Sequence, residues 1–316
     1  MISENDFQSL LRGNAGELKT YLQDIELSFK LDETLAVTNC HSLRINANGQ
    51  VRFNDFARYL ASKIVDFAIP RSEIQKAFEF YNTTGSTSKI VELNNKATQL
   101  FSSLKKSGEG GEILLYLLIE DILKVPQILC KMSLKTSSEM HVHGCDGIHA
   151  NYDETDDILS LYWGESKLYK DIGSALTNCF NSLKGFLLDN GGSSGSQERD
   201  IQLVRSYIDL KDEKIEDAIV KYLDKDNEKF NKVKYKGACL IGFDYEDYPK
   251  AANSGVNDAT LKEKIEKVII DWKVDAKKKI KAIETLDTFE LHLFLIPFPS
   301  VQSFRDAFLI ELGIKK

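Results

Sequence analysis

Excess positive charge is missing from this chain: 41 Lys and Arg stand against 48 Asp and Glu, a formal net charge of -7. That balance excludes wholesale electrostatic attraction to a polyanion, so any nucleic-acid contact has to come from a local basic surface or through a partner. Cysteine is scarce and scattered. The five thiols, Cys40, Cys130, Cys145, Cys179 and Cys239, are odd in number and contain no CxxC pair, which argues against a disulfide framework and a zinc ribbon and favours a reducing cytoplasm. Only 5 prolines occur in 316 residues and no internal repeat is visible, so neither a fibrous chain nor global disorder is expected. The opening "MISENDFQSLLRGNAGELK" has neither the basic segment nor the continuous apolar segment of a signal peptide, and secretion is not expected. A membrane-spanning run is lacking too. The most apolar stretch, Glu112 to Leu129, is broken by Glu120, Asp121 and Lys124, charges that a bilayer core disfavours, and reads as a buried helix.

What is present is enough for a substantial core: 42% of the residues are hydrophobic and 28% charged, and the length suits one large domain or two ordinary ones. Residues 51–69 carry Phe53, Phe56, Tyr59, Leu60 and Ile64 at helical spacing. Between Phe80 and Ser107 the chain turns polar, with "YNTTGSTSK" expected to be a loop. A boundary near residue 105 is expected to divide an N-terminal α/β extension (1–105), a partner-binding or regulatory layer, from the main domain (106–316). After the buried helix come three strand candidates, Lys131 to Lys135, Met140 to His149 and Ile158 to Tyr169. A helix is expected from Asp171 to about Leu188, then a glycine-serine loop and a helical stretch from Arg199. A buried strand around Tyr235 to Tyr245, a charged helix from Asp258 to Glu284, the strand "FELHLFLIPF" and a terminal helix follow. The order implies an α/β or α+β fold with helices covering a mixed central sheet.

One segment carries chemistry. Alternation along "ILSLYWGESKLY" puts Leu159, Leu161, Trp163, Glu165 and Lys167 on one strand face, where a hydrophobic surface turns abruptly into a carboxylate and an ammonium. Charges beside a core are costly unless they pair or bind something. Asp146, between Gly144 and Gly147, sits on a bend from which an antiparallel hairpin brings it towards Glu165. Two neighbouring carboxylates repel; a raised pKa or a bound hard cation such as Mg2+ relieves them.

Blander readings stand beside this one. Glu165 and Lys167 can be an ion pair at a strand end, worth 0 to ~1 kcal/mol. Asp146 followed by Gly147 is a common turn pair. His141, His143, Cys145 and His149 share strand parity and suggest zinc, but ligands along one extended strand diverge from a tetrahedral array. His149 is expected to border the cleft, within reach of a phosphate. Glu112, Tyr116 and Glu120 recur at i, i+4 and i+8 and share a helix stripe, although a glutamate at a helix start is also favoured by the macrodipole. Lysines in residues 229–236 and 271–284 are candidate phosphate contacts or solvated faces.

Asp146, Glu165, Ser166 and Lys167 resemble the D…ExK signature of the PD-(D/E)xK, or restriction-endonuclease-like, nucleases, with Cys145 where that signature has proline. The segments "GEILLYLLIEDILKVPQILCKMSLKTS", "HGCDGIHA" and "LYWGESKLY" are similar more specifically to HamA, the nuclease family of the Hachiman antiphage defence system, over most of residues 110–300. The resemblance implies a restriction-endonuclease-like core. It further implies metal ligation by Asp146, Glu165 and the main chain of Ser166, a further acidic ligand at Glu112, and a water-positioning role for Lys167. A Mg2+-dependent cut in DNA, with Mn2+ as a substitute, and control by a helicase subunit, HamB, follow as expectations. The rival expectation is an inactive, nuclease-like scaffold subunit.

Overall fold

The apolar runs around Leu161, Leu240 and Phe294 lie side by side at the centre of one sheet. The computed structural model describes residues 2–101, 108–135, 144–188, 195–252 and 255–314. Among these, seven strands run in chain order: β1 (Leu22–Lys30), β2 (Ala36–Leu43), β3 (Gln127–Leu129), β4 (Gly147–Asp153), β5 (Ile158–Tyr169), β6 (Val233–Asp244) and β7 (Leu291–Phe298). They form a single mixed sheet in the order β1-β2-β7-β6-β5-β4-β3. Strands β2, β7, β6 and β5 are mutually parallel, and antiparallel pairs close both edges. Strands covered on both faces need apolar side chains on both, which is why β5, β6 and β7 read as near-continuous hydrophobic runs.

Eleven helices accompany the sheet among the described residues: α1 (Glu4–Gln8), α2 (Phe53–Ala61), α3 (Ile64–Ala68), α4 (Arg71–Thr84), α5 (Ser88–Gln99), α6 (Glu109–Leu118), α7 (Ile172–Leu187), α8 (Ser196–Tyr207), α9 (Glu213–Tyr222), α10 (Asp258–Lys281) and α11 (Val301–Glu311). The expected α/β class with a mixed, helix-covered sheet is the observed one. The N-terminal strands β1 and β2 join that same sheet through β7.

Two helices matter most for the site. Helix α7 starts where Asp171 caps it by accepting from the Ser174 amide at 2.7 Å. It covers the face of β5 that carries Trp163, whose indole stacks on Phe186 with ring centroids 5.6 Å apart. Helix α6 covers the other face: a Cβ on Gly111 would lie 2.3 Å from the Ser166 hydroxyl and 3.1 Å from Leu168. Its backbone therefore rests directly on β5, and only glycine fits there.

Three expectations change. The run from Glu112 to Leu129 is not one helix. Helix α6 widens into a π turn (Ile119–Leu123), Lys124 adopts a left-handed conformation at φ 56°, and β3 follows Pro126; proline forbids helix continuation and biases the residue before it to extended backbone. Lys131 to Lys135 is a 3-10 turn over Lys131–Leu134, because the Lys131 ammonium turns inward to a buried carboxylate. The polar stretch after Phe80 is helical, with α4 reaching Thr84 and α5 starting at Ser88; the break is confined to three residues led by Gly85 at φ 72°. The expected strand from Met140 is seen only from Gly147, residues 140–143 lying outside the described residues, as do the proposed boundary at 105 and most of the glycine-serine loop.

Candidate active site

The hairpin of β4 and β5 sets the geometry. Gly147 pairs with Gly164 and Ile148 with Trp163, so the residue before β4, Asp146, comes level with Glu165. The Asp146 amide donates to the Gly164 carbonyl at 2.8 Å, and its carboxylate accepts from the Ser166 amide at 2.7 Å. In a strand the N-H and C=O of one residue point to the same edge. The Ser166 carbonyl therefore looks past the start of β4, towards Asp146. Strand alternation puts Glu165 and Lys167 on the α7 face, where their side chains form an ion pair. Gly164 and Ser166 face α6, and a Cβ on Gly164 would sit 3.2 Å from Leu115 and 3.1 Å from the Gly147 carbonyl. The facing glycines keep this seam narrow.

Burial and mutual repulsion govern the charges. Glu165 is 4% exposed, and burial, then Asp146, push its carboxyl up to about 7 against Lys167 and the Ser182 hydroxyl. Asp146 is raised by burial although Lys167, the Ser166 amide and Lys131 all favour its charged form. Glu112, in the first turn of α6, is held well above the carboxylate range by burial, then by Asp146 and Glu109, with Lys135 opposing. Burial pulls the Lys167 pKa down, but Glu165 and Asp146 outweigh it and keep the ammonium charged. Among the described residues, three neighbouring carboxyl groups are thus short of counter-charge.

The structure brings Asp146, Glu165, Ser166 and Lys167 together at one end of the hairpin, and Glu112 approaches from the opposite face of the sheet. Among the described residues no three His, Cys, Asp or Glu side chains converge tightly enough to hold an ion by themselves. The donors on offer are two carboxylates, one main-chain carbonyl and Glu112 from across the sheet, all hard oxygens suited to Mg2+ or Mn2+.

The expectation for His149 does not survive. His149 is buried in the core, its ring nitrogen Nδ1 3.1 Å from the Val125 carbonyl and its ring against Tyr116. Burial lowers its pKa to about 4, so it stays neutral and does not reach a cleft phosphate. Cys145 is equally buried, and that burial raises its thiol well above the usual range, which disfavours a zinc thiolate; His141 and His143 lie outside the described residues. Glu120 also leaves the proposed stripe, because the π turn carries it to the Arg12 and Gln127 amides at 3.0 Å each. The lysine-rich segments are largely neutralised: Lys229 pairs with Asp157, Lys234 and Lys236 with Glu290, Lys273 with Glu26, and Lys277 and Lys281 with Glu33.

Residues missed in the sequence stand around this centre. Lys135 pairs with Glu109 at 2.6 Å beside Glu112, the Ser182 hydroxyl favours the charged form of Glu165, and Lys131 with Asp200 lies behind Asp146. The only hint was the CKMSLK segment, where two lysines flank apolar residues.

Among curated proteins nothing matches this chain. A family model, HamA, matches residues 19–312, nearly its whole length. The chain belongs to the HamA family and is a component of the Hachiman antiphage defence system.

Proposed function

We propose that this chain is the nuclease effector of its defence system, hydrolysing DNA phosphodiester bonds with Mg2+, or Mn2+ in its place, under the control of the helicase subunit HamB. The observation that carries the reading is the meeting of Asp146 with Glu165 at the mouth of the β4–β5 hairpin, with Lys167 on the Glu165 face. Asp146, Glu165 and the Ser166 carbonyl would hold the ion, with Glu112 as a further ligand. When bound, the ion supplies Lewis acidity for phosphodiester hydrolysis. It also favours the ionised forms of Glu165 and Asp146, which burial otherwise opposes. Lys167, paired with this carboxylate, would orient the attacking water once Glu165 is engaged elsewhere. The acidic surface and the paired lysines leave much of the DNA affinity to the partner.

A second reading, an inert scaffold, draws on the Glu165–Lys167 ion pair, which occupies both side chains in this structure. Cleavage of plasmid, linear and single-stranded DNA in Mg2+ or Mn2+, with and without HamB and ATP, separates the two. The nuclease reading expects cutting that falls at least about 100-fold in Asp146→Ala, Glu165→Ala and Lys167→Ala, in line with the loss of one essential catalytic group. Undiminished cutting by Glu165→Ala would reject the site. Absence of metal binding by calorimetry in the parent would favour the scaffold.

A further inference from the structure

Behind Asp146 lies a buried ion pair that the hairpin does not need for its own hydrogen bonds. Lys131, from the 3-10 turn after β3, and Asp200, in α8, are 7% and 0% exposed, with the ammonium 3.2 and 3.1 Å from the two carboxylate oxygens. The ammonium also donates to the Cys145 carbonyl at 2.8 Å, and Asp200 accepts from the Cys145 amide at 3.0 Å. Both peptide groups of the residue before Asp146 are therefore held by one pair.

The peptide plane joining Cys145 to Asp146 is gripped at both ends, its carbonyl by Lys131 and its N-H by the Gly164 carbonyl at 2.8 Å. Asp200 fixes the plane before it through the Cys145 amide. Rotation about the Cys145 backbone is thus pinned. Gly144 makes the grip possible: at φ 129°, a Cβ there would lie 2.3 Å from both the Asp200 carboxylate and the Lys131 ammonium. A buried ion pair is weak as a source of stability, since its desolvation offsets the attraction and apolar replacements are often tolerated. Its known use is to specify one arrangement among several.

We propose that Lys131 and Asp200 are positioning residues that lock the Gly144–Cys145 backbone and so set the place of the Asp146 carboxylate relative to Glu165. The inference rests on Asp146 being a metal ligand, as in the function proposed above. Neither side chain touches the reacting atoms in this role. The clamp ties the sheet edge to α8, so a partner that displaced α8 would release Asp146 without touching it.

The test uses the full chain and the double variant Lys131→Met/Asp200→Leu, which leaves no single buried charge behind. Three readouts are taken: Mn2+ affinity by calorimetry, thermal midpoint, and hydrogen exchange of the segment spanning residues 144–148. The clamp predicts at least tenfold weaker Mn2+ binding and faster exchange in that segment, at a midpoint within a few degrees of the parent. Unchanged affinity and exchange would overturn it, as would an affinity loss accompanied by faster exchange throughout a chain that still folds. Should that double variant not fold, Gly144→Ala, which pushes into the same pair, is read by the same three measurements and the same outcomes. If the parent itself binds no Mn2+, the metal reading falls, and exchange alone decides whether the backbone is held.

Discussion

Glu112 and Glu120 leave one helical segment about two turns apart, yet they enter opposite kinds of electrostatic environment. Glu120 is 4% exposed and raised by burial, but each of its oxygens accepts a backbone amide, from Gln127 and Arg12, and the Arg12 and Arg71 guanidinium groups stand by. Its charge is balanced within the fold. Glu112 meets Asp146 and Glu109, two more acids, with Lys135 as partial relief. The first cluster is complete as it stands; the second has oxygen donors to spare. A carboxylate matched by donors of its own protein reads as structural, and one with few of them is a functional-site candidate.

Replacing Glu120 sharpens that comparison most. Glu120→Ala leaves two backbone amides and two guanidinium groups without their acceptor, and we expect a loss of about 3 kcal/mol in denaturant unfolding. Glu112→Gln, which keeps the shape of a carboxyl group whose charged form burial and its acidic neighbours already disfavour, should stay within about 1 kcal/mol of the parent. Equal losses in the two variants would break the contrast.

The next effect is a pH dependence. Glu165, faced by Asp146, Lys167 and Ser182, is raised from 4.5 to about 7 by burial first and Asp146 second, so the folded chain holds its proton more tightly than the unfolded one. Its contribution to stability is present in full below about 4.5 and is lost as pH rises to about 7. Unfolding followed across that range should show this decline in the parent and a shallower one in Glu165→Gln. Millimolar Mg2+ should flatten the parent's slope, because a cation favours the ionised pair. A parent slope unaffected by either change would refute the assignment.

The smallest effect belongs to Ser166. Its hydroxyl is buried with no hydrogen-bond partner among the described residues, and only its main chain is proposed as a ligand. Ser166→Ala should leave Mn2+ affinity within threefold and stability unchanged or raised by up to about 1 kcal/mol. A large drop in affinity would instead assign the side chain to the metal.

Much of this architecture was legible in the sequence where local pattern and burial agree. Ile158–Tyr169 is bounded as its alternation predicts, and α7 begins after an aspartate that caps it. Asp146 and Glu165 could be placed together because a hairpin is a local structure. The apolar run from Glu112 was different: residues buried all round carry no period, so helix, π turn and β3 look alike until Pro126. The polar helices α4 and α5 were hidden for the opposite reason, since each buries a single alanine, Ala77 and Ala97, and shows little apolar stripe. Lys131 and Asp200 are 69 positions apart, and their pairing depends on where α8 packs. No local signal encodes such a meeting.

The hairpin also has a kinetic meaning. Hairpins close in about 1–10 μs, whereas contacts between distant segments wait for the rest of the chain to assemble. Asp146 and Glu165 belong to the first class, while Glu112, Lys131 and Asp200 belong to the second. The two central acids can meet during folding before the residues that refine their placement arrive, so assembly of the long-range contacts would be the step at which a loose pair of carboxylates becomes a defined site.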